Sequence, residues 1–387
     1  MGRKVCIVTG TRADWGLLSP LARALNGRDD IELQIVATNM HLLEEYGGTW
    51  REIEADGLTI DRRVPMESPD DSPRGTVKAM AACMGGMADA LADLQPDMMV
   101  ILGDRYEMLA AASAALIFRI PVAHIAGGAV SLGAFDDSIR HAITKMSHIH
   151  LVETEEYRRR VIQLGENPAR VINTGAIGLH NIKSIPLMSR EELESSLATS
   201  IPEKSLLVTF HPATLDSGRP AEQCRNLLDA LDRHPDYKTI FTYPNNDTHG
   251  REIITLLKEY AASHPDRTAV FPSLGMRRYL SALHCVAAAV GNSSSGIVEV
   301  PSAGIPTLDI GIRQQGRLAA KSVIHCGVSA NEIAHGIDTV LSPEMRELAR
   351  RADNPYYRPD TLRLMVDAIT GTPLEGITIK PFHDLRY

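Results

Sequence analysis

Short apolar runs alternate with stretches whose apolar positions recur every three or four residues, and the alternation continues almost from end to end. Short runs bounded by Gly, Asp or Thr predict buried strands, and helical spacing between them predicts amphipathic helices. In the first half the strands fall over residues 5–9, 33–38, 98–102, 122–125, 150–152 and 171–173, with helices over 17–25 and 77–94. The polar stretch 182–204, with Pro186 and Pro202, has no strand pattern and reads as a connector carrying one exposed helix. A second set of strands follows at 206–210, 239–241, 268–271, 287–290 and 307–310, with helices over 221–233, 251–263 and 276–282. A late helix over 362–370 is available to cross back onto the first half.

This order of elements predicts an α/β protein of two Rossmann-like, doubly wound domains. Residues 1–180 form the first and 181–360 the second, with 361–387 as a helix and tail returning to the first. Open parallel sheets bind ligands at the carboxyl ends of their strands. Chemistry is therefore expected just after strands, and a ligand in a cleft between the domains.

Composition narrows the picture. A net charge of −8 over 387 residues leaves no basic footprint for nucleic acid or an anionic membrane. Any phosphate site must then be local, built from a few cations and backbone amides. Five cysteines, at 6, 83, 224, 285 and 326, are odd in number and lack a C-x-x-C pair, which argues against a disulfide framework or a zinc site. Cys6 and Cys285 lie in apolar runs and read as small core residues. The chain enters its first strand with no signal-peptide pattern, and no apolar run is long enough to span a membrane, so a cytoplasmic location is expected. The Met and Ala positions over 77–94 read as core or dimer packing.

Several post-strand segments carry candidate chemistry. Thr9-Gly10-Thr11-Arg12-Ala13-Asp14-Trp15-Gly16 lacks the G-x-G-x-x-G dinucleotide fingerprint but puts Arg12 where a helix begins; an ordinary turn with a solvated Arg reads equally well. Gly103-Asp104-Arg105-Tyr106-Glu107 puts a carboxylate beside a cation at a strand end, where it suits an anionic substrate or simply caps a helix. After His124-Ile125-Ala126, the pair Gly127-Gly128 would let backbone approach a ligand, and Asp136 and Asp137 open the next helix. His211 ends the first strand of the second half, where a histidine can donate to a phosphate oxygen or a hydroxyl. Gly291-Asn292-Ser293-Ser294-Ser295-Gly296 is a Gly/Ser turn entering a helix, a ready diphosphate site, with Glu299 one turn on and able to chelate a ribose diol. No serine there has Gly two residues before and after, which excludes a hydrolase elbow. Arg313 and Arg317 add two cations on the loop after the last predicted strand.

Together these segments resemble the nucleotide-sugar 2-epimerase family, and more closely its hydrolysing branch of sialic- and legionaminic-acid biosynthesis. The likeness runs through TGTRADWG, LGDRYE, the HI-x-GG and FDDSIRHAITKMSH stretches, FHPATL, YPNND, GNSSSGIVEVP and GIRQQGR, in that order along nearly the whole chain. The resemblance implies a GT-B fold, a homodimer or homotetramer, and a UDP-sugar substrate, with no cofactor or metal. It assigns UDP contacts to Arg12, Asn245, Ser293, Ser294, Gly296, Glu299 and Arg313, with backbone around 271–274 gripping the uracil. His41 matches a histidine near the sugar, His211 one on the phosphate and sugar side, and Asp104, with Arg105, and Asp136 match catalytic carboxylates. The implied reaction on UDP-N-acetylglucosamine is elimination of UDP to a 2-acetamidoglycal, then hydration to N-acetylmannosamine.

Two positions depart from the pattern. Ala126 stands where relatives commonly carry Glu or His, and Ala129 where they commonly carry Glu. Either Asp104, Asp136 and a water share the proton transfers, or the sugar needs apolar room, as UDP-N,N'-diacetylbacillosamine would, or the enzyme is impaired. A GT-B glycosyltransferase and a non-catalytic nucleotide-sugar binder are the rival readings.

Overall fold

Each half of the chain folds its apolar runs into an all-parallel sheet. The computed structural model describes residues 2–66, 70, 72–216 and 218–385. The first sheet comprises β1 (Arg3–Thr9), β2 (Ile31–Thr38), β3 (Arg62–Val64), β4 (Met98–Leu102), β5 (Val122–Ile125), β6 (Ile149–Val152) and β7 (Val171–Asn173). Their order is β3-β2-β1-β4-β5-β6-β7, so the winding reverses between β1 and β4. The second sheet comprises β8 (Ser205–Thr209), β9 (Lys238–Thr242), β10 (Thr268–Phe271), β11 (Ala288–Gly291), β12 (Thr307–Ile310) and β13 (Val323–Cys326). Its order, β10-β9-β8-β11-β12-β13, reverses between β8 and β11. Such a reversal opens a crevice at the carboxyl ends of the two strands concerned.

Val5, Cys6, Ile7 and Val8 of β1 are all fully buried, because a parallel sheet is covered on both faces and its inner strands read as unbroken apolar runs. The two strands absent from the apolar pattern, β3 and β13, each lie at one edge of their sheet. β3 is Arg-Arg-Val, with both arginines exposed, so its pairing with β2 leaves no trace in hydrophobicity. The first helix, Arg12–Asn26, begins five residues before the apolar spacing does (positions 12 and 17), because Thr11 and Asp14 close a capping box over a polar first turn. Cys6 and Cys285 are buried, and all five cysteines are free. Among the described residues no helix is long and apolar enough to cross a membrane.

By packing, the chain divides into two units: Met1–Ala129, Asp136–Asn181 and Arg358–Tyr387 in one, Val130–Phe135 and Ile182–Tyr357 in the other. The short excursion Val130–Phe135 is held by backbone: Leu132 N donates to Gln315 O at 3.1 Å, and Leu215 N to Gly133 O at 3.1 Å. The returning helix Thr361–Gly371 puts Met365 and Ile369 into the same core cluster as Val5, Ile7, Leu18 and Leu21. Arg386 and Tyr387, the end of the tail predicted over 361–387, lie outside the described residues.

Further along that tail Lys380 reaches a buried carboxylate. Glu166 Oε2 accepts from His150 Nε2 at 2.9 Å and pairs with Lys380 Nζ at 2.9 Å, while Oε1 accepts from Lys145 Nζ at 2.5 Å. Burial alone would raise the Glu166 pKa, but the His150, Lys145 and Lys380 donors outweigh it and hold it at about 2, from 4.5. A depressed carboxylate stabilises the fold above its unfolded pKa and loses that contribution as the pH falls through the folded one. The shift from 4.5 to about 2 corresponds to stabilisation on the order of 3 kcal/mol. Urea titrations of wild type and Glu166→Gln should therefore differ by that order above about pH 4.5, and converge as the pH falls toward about 2.

Candidate active site

In the first unit the candidate residues stand at the carboxyl ends of β1, β4 and β5, around the reversal. Gly10 follows β1 and is packed so closely that a Cβ there would lie 2.5 Å from Glu107 Oε1. Asp14 Oδ2 accepts from the backbone of Gly10 at 3.2 Å and Thr11 at 3.0 Å. Burial, with the nearby Glu107 carboxylate, lifts the Asp14 pKa to about 6. Thr11 is the cap and Arg12 the first helical residue, its Nε 2.6 Å from Glu52 Oε1.

Arg105 Nε donates to Glu107 Oε1 at 2.8 Å, and Glu107 has no exposure. Asp104 is paired with Arg140, whose Nε donates to Asp104 Oδ2 at 2.9 Å and whose Nη2 reaches the same oxygen. Arg140 is buried in the helix Asp136–Met146, and its Nη1 also donates to Ala129 O at 2.9 Å and Asp137 Oδ1 at 3.2 Å. The helix that follows begins at Tyr106, with Arg105 in the cap position making no side-chain cap bond. Asp136 is buried in the first turn of the helix that carries Arg140. A guanidinium bridging Asp104, Asp137 and the Ala129 carbonyl fixes the β4 and β5 loops to each other and favours ionised Asp104.

Other residues near these strand ends are engaged within the fold. His41 is fully buried and both ring nitrogens are engaged within the fold, Nε2 with Thr9 Oγ1 at 3.0 Å and Nδ1 with Thr49 Oγ1 at 2.8 Å. Burial lowers its pKa to about 3, so it stays neutral and braces the β2 loop from behind. The Gly127-Gly128 pair makes room for the protein itself. A Cβ on Gly128 would lie 2.5 Å from Tyr157 O, and one on Gly127 3.0 Å from Thr144 Oγ1. Ala126 holds a left-handed backbone at φ +66°, and Ala129 is buried.

In the second unit the candidates gather at the carboxyl ends of β8, β9, β11 and β12. His211 follows β8, and its Nδ1 accepts from Asn245 N–H at 3.2 Å. Gly291 ends β11 at φ +136°, where a Cβ would stand 1.9 Å from Thr209 O, so only glycine can make the turn. The helix that follows, Ser294–Val298, has five residues and is capped by Ser293. So short a helix has little macrodipole, and anion affinity must come from local amides and hydroxyls. A Cβ on Gly296 would meet Thr307 Cγ2 at 2.8 Å, which lets the turn sit close on β12. Ser295 is tied to Tyr279 Oη at 2.6 Å. Glu299 closes the helix, near enough to the buried Tyr279 phenol to add to the rise in its pKa that burial begins. Arg313 Nη1 and Gln314 Nε2 donate to Asn292 O at 3.1 and 2.9 Å.

The geometry thus groups Arg12, Asp104, Arg105 and Asp136 in one unit, and Asn245, His211, Ser293, Ser294, Gly296, Glu299 and Arg313 in the other. Motif reading passed over Glu107, Arg140, Asn292 and Gln314, although each lies within or beside a quoted motif. Arg140 reaches Asp104 and Gln314 reaches Asn292 across 36 and 22 residues, so no local spacing announces those contacts.

Two open parallel sheets, each with polar side chains at its switch point, define a nucleotide-binding α/β protein. Residues 23–370 match the family described as UDP-N-acetylglucosamine 2-epimerase, and the chain belongs to that family of UDP-sugar 2-epimerases. It is 39% identical over 345 residues, 89% of each chain, to the GDP/UDP-N,N'-diacetylbacillosamine 2-epimerase (hydrolyzing) of Campylobacter jejuni. It is 34% identical over 342 residues, 88% of this chain and 90% of the other, to the UDP-N,N'-diacetylbacillosamine 2-epimerase (hydrolyzing) of Legionella pneumophila. In fold it matches the crystal structure of UDP-GlcNAc 2-epimerase from Neisseria meningitidis bound to UDP-GlcNAc, with a TM-score of 0.79 at 19% identity over 95% of this chain and 100% of that one. The two parallel-sheet units are thus those of a GT-B-type protein.

Proposed function

We propose that this chain is a hydrolysing UDP-sugar 2-epimerase, which breaks the C1–O bond to UDP, inverts C2 and adds water to release the free 2-acetamido sugar. The observation that carries the reading is Asp104 paired with the buried Arg140 at the end of β4, in a chain of the 2-epimerase family. In the first step a carboxylate takes the C2 proton as UDP departs with the C1–O electron pair, leaving a C1–C2 double bond. In the second, water adds its oxygen to C1 while C2 receives a proton on the opposite face. Asp104 and Asp136 are the carboxylates we assign to these transfers. The C2 proton is not acidic, so elimination depends on stabilising the departing diphosphate. Ser293, Ser294, Arg313 and His211 are assigned to it, with Arg12 as a further cation and Glu299 on the ribose.

For the sugar, we favour a 2,4-diacetamido-trideoxy hexose carried by UDP. The 39% identical relative from C. jejuni is named for that substrate, and alanine at positions 126 and 129 offers apolar groups where acidic ones would hold hydroxyls. UDP-N-acetylglucosamine is the second reading, supported by the family description.

Proton NMR in D2O with each substrate tests both levels. UDP-N,N'-diacetylbacillosamine should yield UDP and an epimerised free sugar bearing one deuterium at C2, with the higher kcat/KM. A higher kcat/KM on UDP-N-acetylglucosamine would reverse the choice of sugar. Absence of UDP release from either would reject the epimerase reading, and release only with an added acceptor would make the protein a glycosyltransferase. Separately, Ser294→Ala combined with Arg313→Ala should weaken UDP binding by about 2–4 kcal/mol, measured by calorimetry. An unchanged affinity would move the diphosphate elsewhere.

A further inference from the structure

The side chain of Asn292 is 2% exposed at the end of β11 and hydrogen-bonds His211 in both directions. His211 N–H donates to Asn292 Oδ1 at 2.7 Å, and Asn292 Nδ2 donates to His211 O at 2.8 Å. The backbone ladder between β8 and β11 pairs Thr209 with Gly291 and stops there. The amide side chain of Asn292 then supplies the acceptor and donor that a further strand residue would have offered. An uncharged amide presents both on adjacent atoms, where an ionised carboxylate of the same size only accepts. The backbone carbonyl of the same residue receives Arg313 Nη1 and Gln314 Nε2. Asn292 therefore joins the loops after β8, β11 and β12.

The ring of His211 is also constrained. Its Nδ1 accepts from Asn245 N–H at 3.2 Å, which leaves the proton of the neutral imidazole on Nε2. That bond depends on where the His211 backbone stands relative to Asn245, and the Asn292 amide sets this.

We propose that Asn292 is a positioning residue of the reaction: its side chain fixes the backbone and ring tautomer of His211, while its carbonyl seats the Arg313 loop. The inference rests on the reading above that His211 and Arg313 act on the nucleotide sugar. The two functions sit on different atoms, and a side-chain substitution separates them. Asn292→Asp keeps the acceptor for His211 N–H but turns a second oxygen toward the His211 carbonyl. Asn292→Ala removes both bonds. Neither touches the carbonyl that holds Arg313 and Gln314.

The test uses the full chain in three forms: wild type, Asn292→Asp and Asn292→Ala. Steady-state kinetics and UDP calorimetry are combined with 15N NMR of histidine-labelled protein, with and without UDP. A displacement of about 1 Å at a reacting group can cost about 100-fold, so kcat should fall by that order in both variants, while UDP affinity, which Ser293, Ser294 and Arg313 also support, should fall by about ten-fold or less. The His211 signal should change from the single Nε2–H form to a mixture of tautomers. The near-isosteric Asp variant keeps the test decisive should Asn292→Ala fold poorly. Wild-type kcat with an unchanged His211 signal would overturn the proposal, as would parallel losses of kcat and UDP affinity. Should wild type turn over no UDP-sugar, the functional reading fails, and the tautomer signal alone then decides whether Asn292 positions His211.

Discussion

Asp104→Asn is expected to lower turnover by about 10²–10⁴-fold, the range associated with loss of a positioned acid or base, while leaving UDP affinity near that of wild type. The substitution preserves the shape of the side chain and an oxygen that can still accept from Arg140 Nε, now at 2.9 Å from the carboxylate. What disappears is the negative charge and the ability to take a proton. Apart from Arg12, UDP is assigned to residues of the other sheet, so its binding, measured by calorimetry, should report an intact protein with an idle proton-transfer group. Full activity in the variant would remove Asp104 from the mechanism. The same measurements on Asp136→Asn would then ask whether that residue carries the transfer alone.

The second large effect is expected at Arg140, where function and stability meet. Arg140→Met fills similar volume but leaves Asp104, Asp137 and the Ala129 carbonyl without the guanidinium that binds all three. Removing one partner from a buried ion pair costs about 3–5 kcal/mol, because the charge left behind is neither solvated nor compensated. Arg140 is 1% exposed and Asp104 20%, so part of that cost is relieved by water reaching Asp104. Denaturant unfolding should show the loss. Any folded variant should be strongly impaired, with its residual pH–rate profile displaced upward because the carboxylate has lost its cation. A stable, active Arg140→Met protein would mean that Asp104 needs no cation.

What could be read from the sequence, and what could not, follows the range of the forces involved. Inner strands such as β1 and β4 are buried on both faces and declare themselves as apolar runs. Once the strands are located, Asp104, His211 and the Gly/Ser turn are located too, because switch-point chemistry lies at strand ends. The edge strand β3 is solvated and nearly invisible. The helix Tyr106–Phe118 is apolar on every side and so has no periodicity to detect. Partners were harder than positions. Arg140, a cation for Asp104, stands 36 residues away, beyond the reach of any local motif. The contacts of His41 with Thr9 and Thr49 likewise depend on how the β1 and β2 loops pack.

The return of residues 358–385 to the first sheet also sets the order in which a nascent chain can complete its fold. Met365, Ile369 and Ile377 belong to the core built on β1 and the helix Arg12–Asn26, and Arg3 Nη2 is held by Thr372 O at 3.0 Å. The residues made first therefore wait for the residues made last, while the intervening stretch 182–357 has all six strands of its own sheet in hand. On the ribosome the second sheet can close first, with the earlier half exposing an unfinished apolar face until termination. A chain released before residue 358 would carry that face permanently, so truncation at the carboxyl terminus should be paid for at the amino-terminal sheet.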